Sequence, residues 1–258
     1  MRNAVRLSAF LLCLLLIAPW RANAAKVVYQ GNKQVKRAAL TIDDCWDAAQ
    51  VRLALEAADK YGVSLTFFPC GQAIKRRPAI WKDIAASRHE IGNHSYNHKS
   101  FLKINQAQIA SQLKSTQKAL NKAVGKKHPM TLVRPPYGDG GYRRKISKPM
   151  LSAMKKQGYT HAVMWTVNDG ISASKIVKLT KPGGIVLFHT KPESIKELIR
   201  VIPKLQAAGF ELVTVSELLN LNKEGASGGD EMMDEAETAS LPEDRWANAP
   251  ISFPVTSL

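Results

Sequence analysis

Two neighbouring carboxylates stand at the end of a short apolar run in LTIDDCWD, residues 40–47. Like charges this close cannot both stay freely ionised unless a cation separates their roles. Asp43 and Asp44 therefore either belong to a solvated turn or do two different jobs in one site. Further along the chain, HSYNH places His94 and His98 four positions apart. On a helical turn the two imidazoles would lie on the same face and could bind one metal ion.

Two histidines and one carboxylate form a three-ligand set that leaves a coordination position open, which is the arrangement of catalytic Zn²⁺ sites. The alternative interpretation is a pair of surface or capping histidines. The choice depends on whether the carboxylates and the histidines meet in space, and therefore on the elements that carry them.

The elements follow a regular order. From residue 38 onward, short apolar runs alternate with amphipathic helical segments about six to seven times, which predicts a mostly parallel sheet. No glycine-rich phosphate loop follows any run, which argues against a nucleotide-binding fold. The length and regularity favour an α/β fold, a distorted (β/α) barrel with about seven mostly parallel strands, over an open doubly wound sheet.

In a parallel barrel the reactive residues gather at the carboxyl ends of the strands. In this chain, polar and reactive residues follow each of the first six apolar runs. In order, they are Asp43, Asp44 and Cys45; Cys70; His94 and His98; Arg134 and Tyr137; Trp165 and Asp169; and His189. This clustering predicts one site on one face and favours the metal-site interpretation of the histidines.

The two ends of the chain differ from its body. Residues 1–24 contain Arg2 and Arg6, an apolar run and a small-x-small sequence, and are predicted to be a signal peptide, with an uncleaved anchor as the alternative. Residues 25–37 are interpreted as a lead-in, 38–222 as the folded domain, and 223–258 as an acidic disordered tail. We expect a secreted or periplasmic protein with no transmembrane segment in the mature chain.

The charge of the chain is uneven. Residues 25–222 carry 32 Lys or Arg and 13 Asp or Glu, whereas residues 223–258 carry two Lys or Arg and eight Asp or Glu. The basic body favours an anionic partner such as a cell-wall polymer or a membrane surface. Nucleic acid is the least favoured partner of an exported protein, and none is predicted. An ordinary solvated basic surface is the alternative.

Five ordered segments resemble the motifs of the polysaccharide deacetylase family, carbohydrate esterases that remove acetyl groups from chitin, peptidoglycan and related polymers. They are TIDD, HSYNH, RPPYG, VMWTVNDG (loosely) and IVLFH, and TFFPCG also resembles the family's second strand. The resemblance covers about residues 38–220, so it implies that 38–222 is a deacetylase catalytic domain. It implies hydrolysis of an acetylated polysaccharide with one divalent metal ion, most readily zinc, with cobalt, nickel or manganese as alternatives.

The resemblance also implies roles for single residues. Asp43 would be the general base and Arg134 the partner that keeps it ionised. The metal ligands would be Asp44, His94 and His98. His189 would be the general acid that protonates the departing amine.

Further roles concern the substrate. The backbone N–H of Tyr137 would stabilise the oxyanion. Leu187 would line the acetyl pocket, and Pro136 belongs to the third, substrate-contacting motif. Trp165 either stacks on a sugar ring or belongs to the core.

The chain departs from the family in two places. The family usually follows the fourth-motif strand with an Asp-Trp pair that orients the acid histidine, and this chain has WTVNDGIS instead. Asp169, from a shifted position, is the candidate replacement. Cys45 stands where the family usually has glycine, and Cys70 follows the neighbouring strand. A disulfide between them is one interpretation, and a thiolate ligand or a buried apolar filler are the others.

Two rival functions remain from the sequence. One is a non-catalytic glycan-binding relative with impaired turnover, suggested by the changed fourth motif. The other is an O-acetyl esterase or an amidase on the same scaffold, because the loops around the site set the choice of acetyl group.

Overall fold

The computed structural model describes residues 25–140 and 147–221. The predicted signal peptide and the predicted acidic tail lie outside these residues, and the domain boundaries stay predictions. Within the described ranges, we find no helix whose length and apolar character would let it span a bilayer.

Parallel strands form the centre of the molecule. The strands are β1 (Lys26–Val28), β2 (Arg37–Asp44), β3 (Thr66–Pro69), β4 (Glu90–Ile91), β5 (Leu132–Val133), β6 (His161–Val163), β7 (Val167–Asn168), β8 (Gly184–His189) and β9 (Glu211–Leu212). The helices are α1 (Ala48–Lys60), α2 (Gly71–Arg76), α3 (Pro78–Ala85), α4 (Gln106–Val124), α5 (Lys148–Lys156), α6 (Ala173–Leu179), α7 (Pro192–Ala207) and α8 (Val215–Leu218), with a short 3₁₀ turn at Pro136–Gly138.

The strands form two sheets. One has the order β4–β3–β2–β8–β7, with β9 also paired to β2, and the other has the order β1–β6–β5. An isolated bridge between Asn93 and Val133 connects the sheets on one side. On the other side the chain itself passes from β6 to β7 within three residues. The result is a distorted barrel that is not one closed sheet, and the predicted α/β class with parallel strands is confirmed.

Strand β2 is the centre of this arrangement. It pairs in parallel with β3 and with β8, and its residues 38–42 are buried. A strand buried on both faces reads as a continuous apolar run, which is why ALTI precedes the two carboxylates. The segment predicted as a lead-in contributes β1, which pairs in parallel with β6.

The helices pack around the sheets, and their ends are set by local signals. Asp47 caps α1 by accepting hydrogen bonds from the backbone N–H groups of Ala49 and Gln50. Asn105 and Gln108 form a capping box at the start of α4. Helix α4 packs against α2, α3 and α5, while α7 packs against α1 and α6.

Candidate active site

Asp44, His94 and His98 meet at the carboxyl end of β2, and we call them the Asp–His–His cluster. Their candidate ligand atoms all lie within 4.8 Å of one another. The Asp44 Oδ1 atom is 3.3 Å from Nε2 of His94 and 3.2 Å from Nε2 of His98. The three side chains predicted as a metal site are therefore brought together by the fold.

The chemistry of this donor set fits a divalent cation. The Asp44 Oδ1 atom is buried and has no hydrogen-bond partner among the described residues, which would be costly unless a positive group faces it. The Nδ1 atom of His94 is 2.7 Å from the carbonyl oxygen of Arg134. That contact directs Nε2 of His94 towards Asp44, which is how metal-binding histidines are commonly oriented. Burial raises the pKa of Asp44, but His94 and His98 outweigh it, so the pKa lies below its ordinary value.

The two histidines do not lie on a helical turn, and this expectation is wrong. Residues 92–100 form an irregular loop in which Ser95 and His98 have φ angles of 64° and 60°. The buried Asn93 side chain anchors the loop by donating to the Leu113 carbonyl (3.0 Å) and accepting from the Ser95 N–H (3.0 Å). The imidazoles converge because the loop doubles back, with ring centroids 5.0 Å apart.

Asp43 forms a buried ion pair with Arg134. The Arg134 Nη1 atom donates to Asp43 Oδ1 at 2.8 Å and to the Thr41 hydroxyl oxygen at 2.6 Å. Its other donors reach the carbonyl oxygens of Val163 (3.1 Å) and Met164 (3.3 Å). Arg134 is fully buried, so each of these bonds satisfies a donor that water cannot reach.

The second carboxylate oxygen of Asp43 points elsewhere. Asp43 Oδ2 lies 3.8 Å from Nε2 of His94, on the side of the Asp–His–His cluster. Asp43 and Asp44 are adjacent in the chain but have separate partners, because Asp44 adopts a left-handed φ of 64°. Asp43 therefore pairs with Arg134, while Asp44 contacts His94 and His98.

His189 ends β8, directly beside Asp43 in the register of β2 and β8. Its Nδ1 atom lies 2.9 Å from Asp169 Oδ2, the same oxygen that accepts a 2.6 Å hydrogen bond from the Ser194 hydroxyl. Asp169, the candidate replacement for the aspartate of the changed fourth motif, therefore contacts His189. Burial lowers the pKa of His189, but the hydrogen bond and charge of Asp169 outweigh it, so the pKa is raised.

The predicted substrate-contacting residues lie in or just after strands β5, β6 and β8. Tyr137 has a φ of 62° and is 69% exposed, and its ring meets the His98 ring edge-on at 4.5 Å. Pro136 is buried in the 3₁₀ turn before it. Leu187 lies two residues before His189 and so shares its strand face. Trp165 is half-buried, with its ring 5.8 Å from the Arg134 guanidinium, and it packs on the core.

No disulfide joins Cys45 and Cys70 in the described structure, so this interpretation is corrected. Both thiols are free and buried. Each sulfur lies near a carbonyl oxygen instead, Cys45 near Ile42 at 3.6 Å and Cys70 near His94 at 3.5 Å. Burial raises the pKa of both thiols, with the carboxylates of Asp43 and Asp44 adding to it. The apolar-filler interpretation fits these environments, since both thiols are buried and the only group that could hold a metal ion among the described residues contains neither cysteine.

Sequence reasoning missed three supporting residues. Thr41 bridges Arg134 to the Val186 carbonyl, to which its hydroxyl donates at 2.8 Å. Asn93 anchors the histidine loop, and Ser194 holds Asp169. Thr41 is the first residue of TIDD and Asn93 directly precedes HSYNH, so these two motifs already pointed to both residues. Ser194 lies in the first turn of α7, where no motif marks it.

The sequence comparisons find proteins that are similar to this chain. A family model described as polysaccharide deacetylase matches residues 30–162. Peptidoglycan-N-acetylglucosamine deacetylase of Bacillus cereus is 30% identical over 209 residues, which cover 76% of this chain and 73% of that protein. Peptidoglycan-N-acetylmuramic acid deacetylase PdaA of Bacillus subtilis is 28% identical over 202 residues, 74% of each chain.

The structural comparisons agree. A peptidoglycan N-acetylglucosamine deacetylase in complex with 4-naphthalen-1-yl-N-oxidanyl-benzamide matches with a TM-score of 0.66 at 28% identity, covering 75% of this chain and 92% of that chain. A wild-type CE4 family pseudoenzyme from Bacillus anthracis also matches with a TM-score of 0.66, at 25% identity, covering 75% and 68%. A mutant described as this family's pseudoenzyme with restored enzymatic activity matches with the same TM-score, at 27% identity and coverages of 75% and 71%. Relatives of this fold thus include active and inactive proteins.

Proposed function

This chain belongs to the polysaccharide deacetylase family, and we propose that it is a metal-dependent hydrolase that removes N-acetyl groups from cell-wall peptidoglycan. The observation that carries the proposal is the meeting of three units at the carboxyl ends of the strands. These are the Asp–His–His cluster, the Asp43–Arg134 ion pair and the His189–Asp169 pair. The names of the relatives support peptidoglycan as the substrate class.

Asp44, His94 and His98 would hold the ion, with zinc first and cobalt, nickel or manganese as alternatives. A divalent ion bound there supplies Lewis acidity towards the acetyl carbonyl and makes water more acidic. The oxygen and imidazole donors suit all four metals, so the native ion is a matter for direct analysis.

Asp43 is the proposed general base. Its Oδ1 atom is engaged by Arg134, while Oδ2 faces the cluster and is left to accept the proton of the attacking water. The buried guanidinium fixes the direction of the carboxylate, because four acceptors hold the arginine in place. A base that cannot rotate away from the water loses little entropy when the reaction begins.

His189 is the proposed general acid. Its Nδ1 atom is held by Asp169, so Nε2 is the nitrogen available to protonate the departing amine. The raised pKa of His189 keeps the imidazolium form present to a higher pH than an ordinary histidine would allow. The shifted Asp169 therefore supports a working enzyme despite the changed fourth motif.

The substrate contacts follow the same geometry. We assign the Tyr137 backbone N–H to the developing oxyanion. Leu187 shares the strand face of His189 and would line the acetyl pocket, and Pro136 would contact the substrate from the turn after β5. The half-buried Trp165 would contact a sugar in addition to its core packing.

Export of the protein is part of the proposal. Peptidoglycan lies outside the cytoplasm, which agrees with the signal peptide predicted for residues 1–24. The basic body would favour association with anionic polymers of the wall.

The test is acetate release by the zinc-loaded protein from peptidoglycan, chitin oligomers and acetylated xylan. We expect release from peptidoglycan, and loss of that release in Asp43→Asn and after chelation. Asp59→Asn, which changes an exposed carboxylate paired with Arg88, is the matched control and retains activity. Acetate release that survives both the Asp43 substitution and chelation would refute the mechanism.

A non-catalytic role is the rival supported by the pseudoenzyme neighbour. The complete base, ligand and acid set argues against it. Tight glycan binding without acetate release from any substrate would favour this rival. Release from acetylated xylan alone would favour the O-acetyl esterase.

A further inference from the structure

A basic groove lies between helices α2, α3 and α4, and its lining includes none of the proposed base, acid or metal-ligand residues. It has a volume of about 750 Å³. Its floor includes Ile74, Ala119 and the Tyr96 ring, and three lysines, Lys75, Lys118 and Lys122, stand along it. All three lysines are exposed. No acidic side chain lines this groove among residues 25–140 and 147–221.

The groove is connected to the loop that carries His94 and His98. Tyr96 lies in that loop, and the N–H groups of Tyr96 and Asn97 donate to Gln112 Oε1 of α4 at 2.9 Å and 3.2 Å. A ligand in the groove would contact Tyr96 and would bind directly beside the catalytic loop. The combination of apolar floor and lysines favours an occupant that is both apolar and strongly anionic.

The chain itself contains such a segment. Residues 230–237 read DEMMDEAE, five carboxylates around two adjacent methionines, and they contain no lysine or arginine. Unbranched methionine side chains adapt to irregular apolar surfaces, and the flanking carboxylates would meet the lysines. We propose that the segment 230–237 docks in the basic groove of its own chain.

The geometry allows this contact. Helix α8 lies against β4, where the Ser216 N–H donates to Glu90 Oε2 at 3.2 Å. Helix α3 packs on both β4 and α4, so a series of packed elements joins α8 to the helix that carries Lys118 and Lys122. The nine residues from Leu221 to Asp230 can span about 30 Å, comparable to the length of α4, about 28 Å for its 19 residues.

Tethering makes weak contacts sufficient. A segment joined to its site by a short linker has an effective concentration in the millimolar range, so a modest intrinsic affinity gives high occupancy. The attraction between exposed charges is screened by salt. Docking should therefore be strong at low ionic strength and lost at high ionic strength.

The experiment is lysine labelling of the full mature chain with an acylating reagent, read residue by residue by mass spectrometry. The test variant neutralises four tail carboxylates: Asp230→Asn, Glu231→Gln, Asp234→Asn and Glu235→Gln. Labelling of Lys118 and Lys122 should be about fivefold faster in this variant than in the wild type at low salt, as expected for a tethered site that is about four-fifths occupied. The difference should vanish at high salt.

Lys175 and Lys178 are the matched controls, because they are exposed lysines on α6, outside the groove. Their labelling should not differ between the two proteins. As a second readout, carbodiimide cross-links within monomers should join residues 230–237 to the groove lysines, and Lys118→Glu with Lys122→Glu should also abolish the cross-links to Lys75.

Three outcomes would overturn the proposal. One is equal labelling of the groove lysines in both proteins at low salt. Another is cross-links spread evenly over exposed lysines, including Lys175 and Lys178. The third is protection of the groove only on addition of an anionic wall polymer, which would assign the groove to that external partner. None of these readouts depends on acetate release, so failure here leaves the proposed function untouched.

Discussion

Replacing Asp169 by asparagine tests the assignment of His189 as the general acid. Asp169 Oδ2 accepts hydrogen bonds from His189 Nδ1 and from the Ser194 hydroxyl. The substitution keeps the shape of the side chain but removes its charge. The oxygen of the introduced amide can still accept a hydrogen bond, so the main change is electrostatic.

The magnitude follows from the position of the pair. The hydrogen bond and charge of Asp169 raise the pKa of His189 against the opposing effect of burial, and the pair is only partly exposed. We therefore expect the pKa of His189 to fall when the substitution removes that charge, which favours the neutral form. Poorer orientation of the acid should also lower kcat by about 100-fold, within the usual contribution of general acid catalysis.

The assay is acetate release from peptidoglycan as a function of pH. His189 must be protonated to act, so activity falls as pH rises through its pKa, and in Asp169→Asn that fall should begin at a lower pH. Ser194→Ala is the control: it keeps the carboxylate charge, so the alkaline limb should stay at the pH seen in the wild type while kcat falls from looser positioning. An alkaline limb that Asp169→Asn leaves in place would refute the pairing.

Four further predictions concern the ion pair, the two cysteines and the metal site. Arg134→Gln leaves the buried Asp43 carboxylate without its cation and should lower the free energy of unfolding, measured by urea titration, by about 3–5 kcal/mol. A loss under about 1 kcal/mol would contradict the buried ion pair. Cys45 has a left-handed φ of 59°, which strains any residue other than glycine. Cys45→Gly should therefore change the free energy of unfolding by less than about 1 kcal/mol, because relief of strain offsets lost packing. Cys45→Val should lower it by more than about 2 kcal/mol, because a β-branched side chain tolerates this φ poorly. Mass spectrometry without reductant should also find both thiols free, and a mass lower by two hydrogens would show a disulfide. Zinc at about 100 times its dissociation constant should raise the free energy of unfolding by about 2.7 kcal/mol. Thermal unfolding should show this as a rise in Tm of about 5–10 °C that chelation reverses. An unchanged Tm would show that the Asp–His–His cluster is not a metal site.

The positions of most site residues were predictable because a parallel sheet imposes a simple rule. Strand β2 is read from its apolar run, and parallel pairing with β3 and β8 places the next residues at one edge. Asp43, Asp44 and His189 follow from this rule, and Arg134 follows from the resemblance of RPPYG to a family motif. These features depend on local composition and on motif order, both of which are present in the sequence itself.

Other features depended on backbone angles that the residue types do not reveal. The spacing of His94 and His98 suits a helical turn, yet a loop with two left-handed residues brings them together. Cys45 adopts the left-handed conformation at a position where the family usually has glycine. A cysteine in the sequence does not predict this backbone angle. Non-glycine residues take such angles only when surrounding contacts compensate the cost.

The sequence by itself determined the class of fold, the order of the motifs and the family to which the chain belongs. Only the tertiary structure decided that Asp169 reaches His189, that Ser194 holds Asp169, and that the two cysteines stay unbonded. The physical reason is that these contacts join residues about 20 or more positions apart. Such contacts depend on strand register and helix packing, which arise from the sum of many weak interactions and leave no local pattern in the chain.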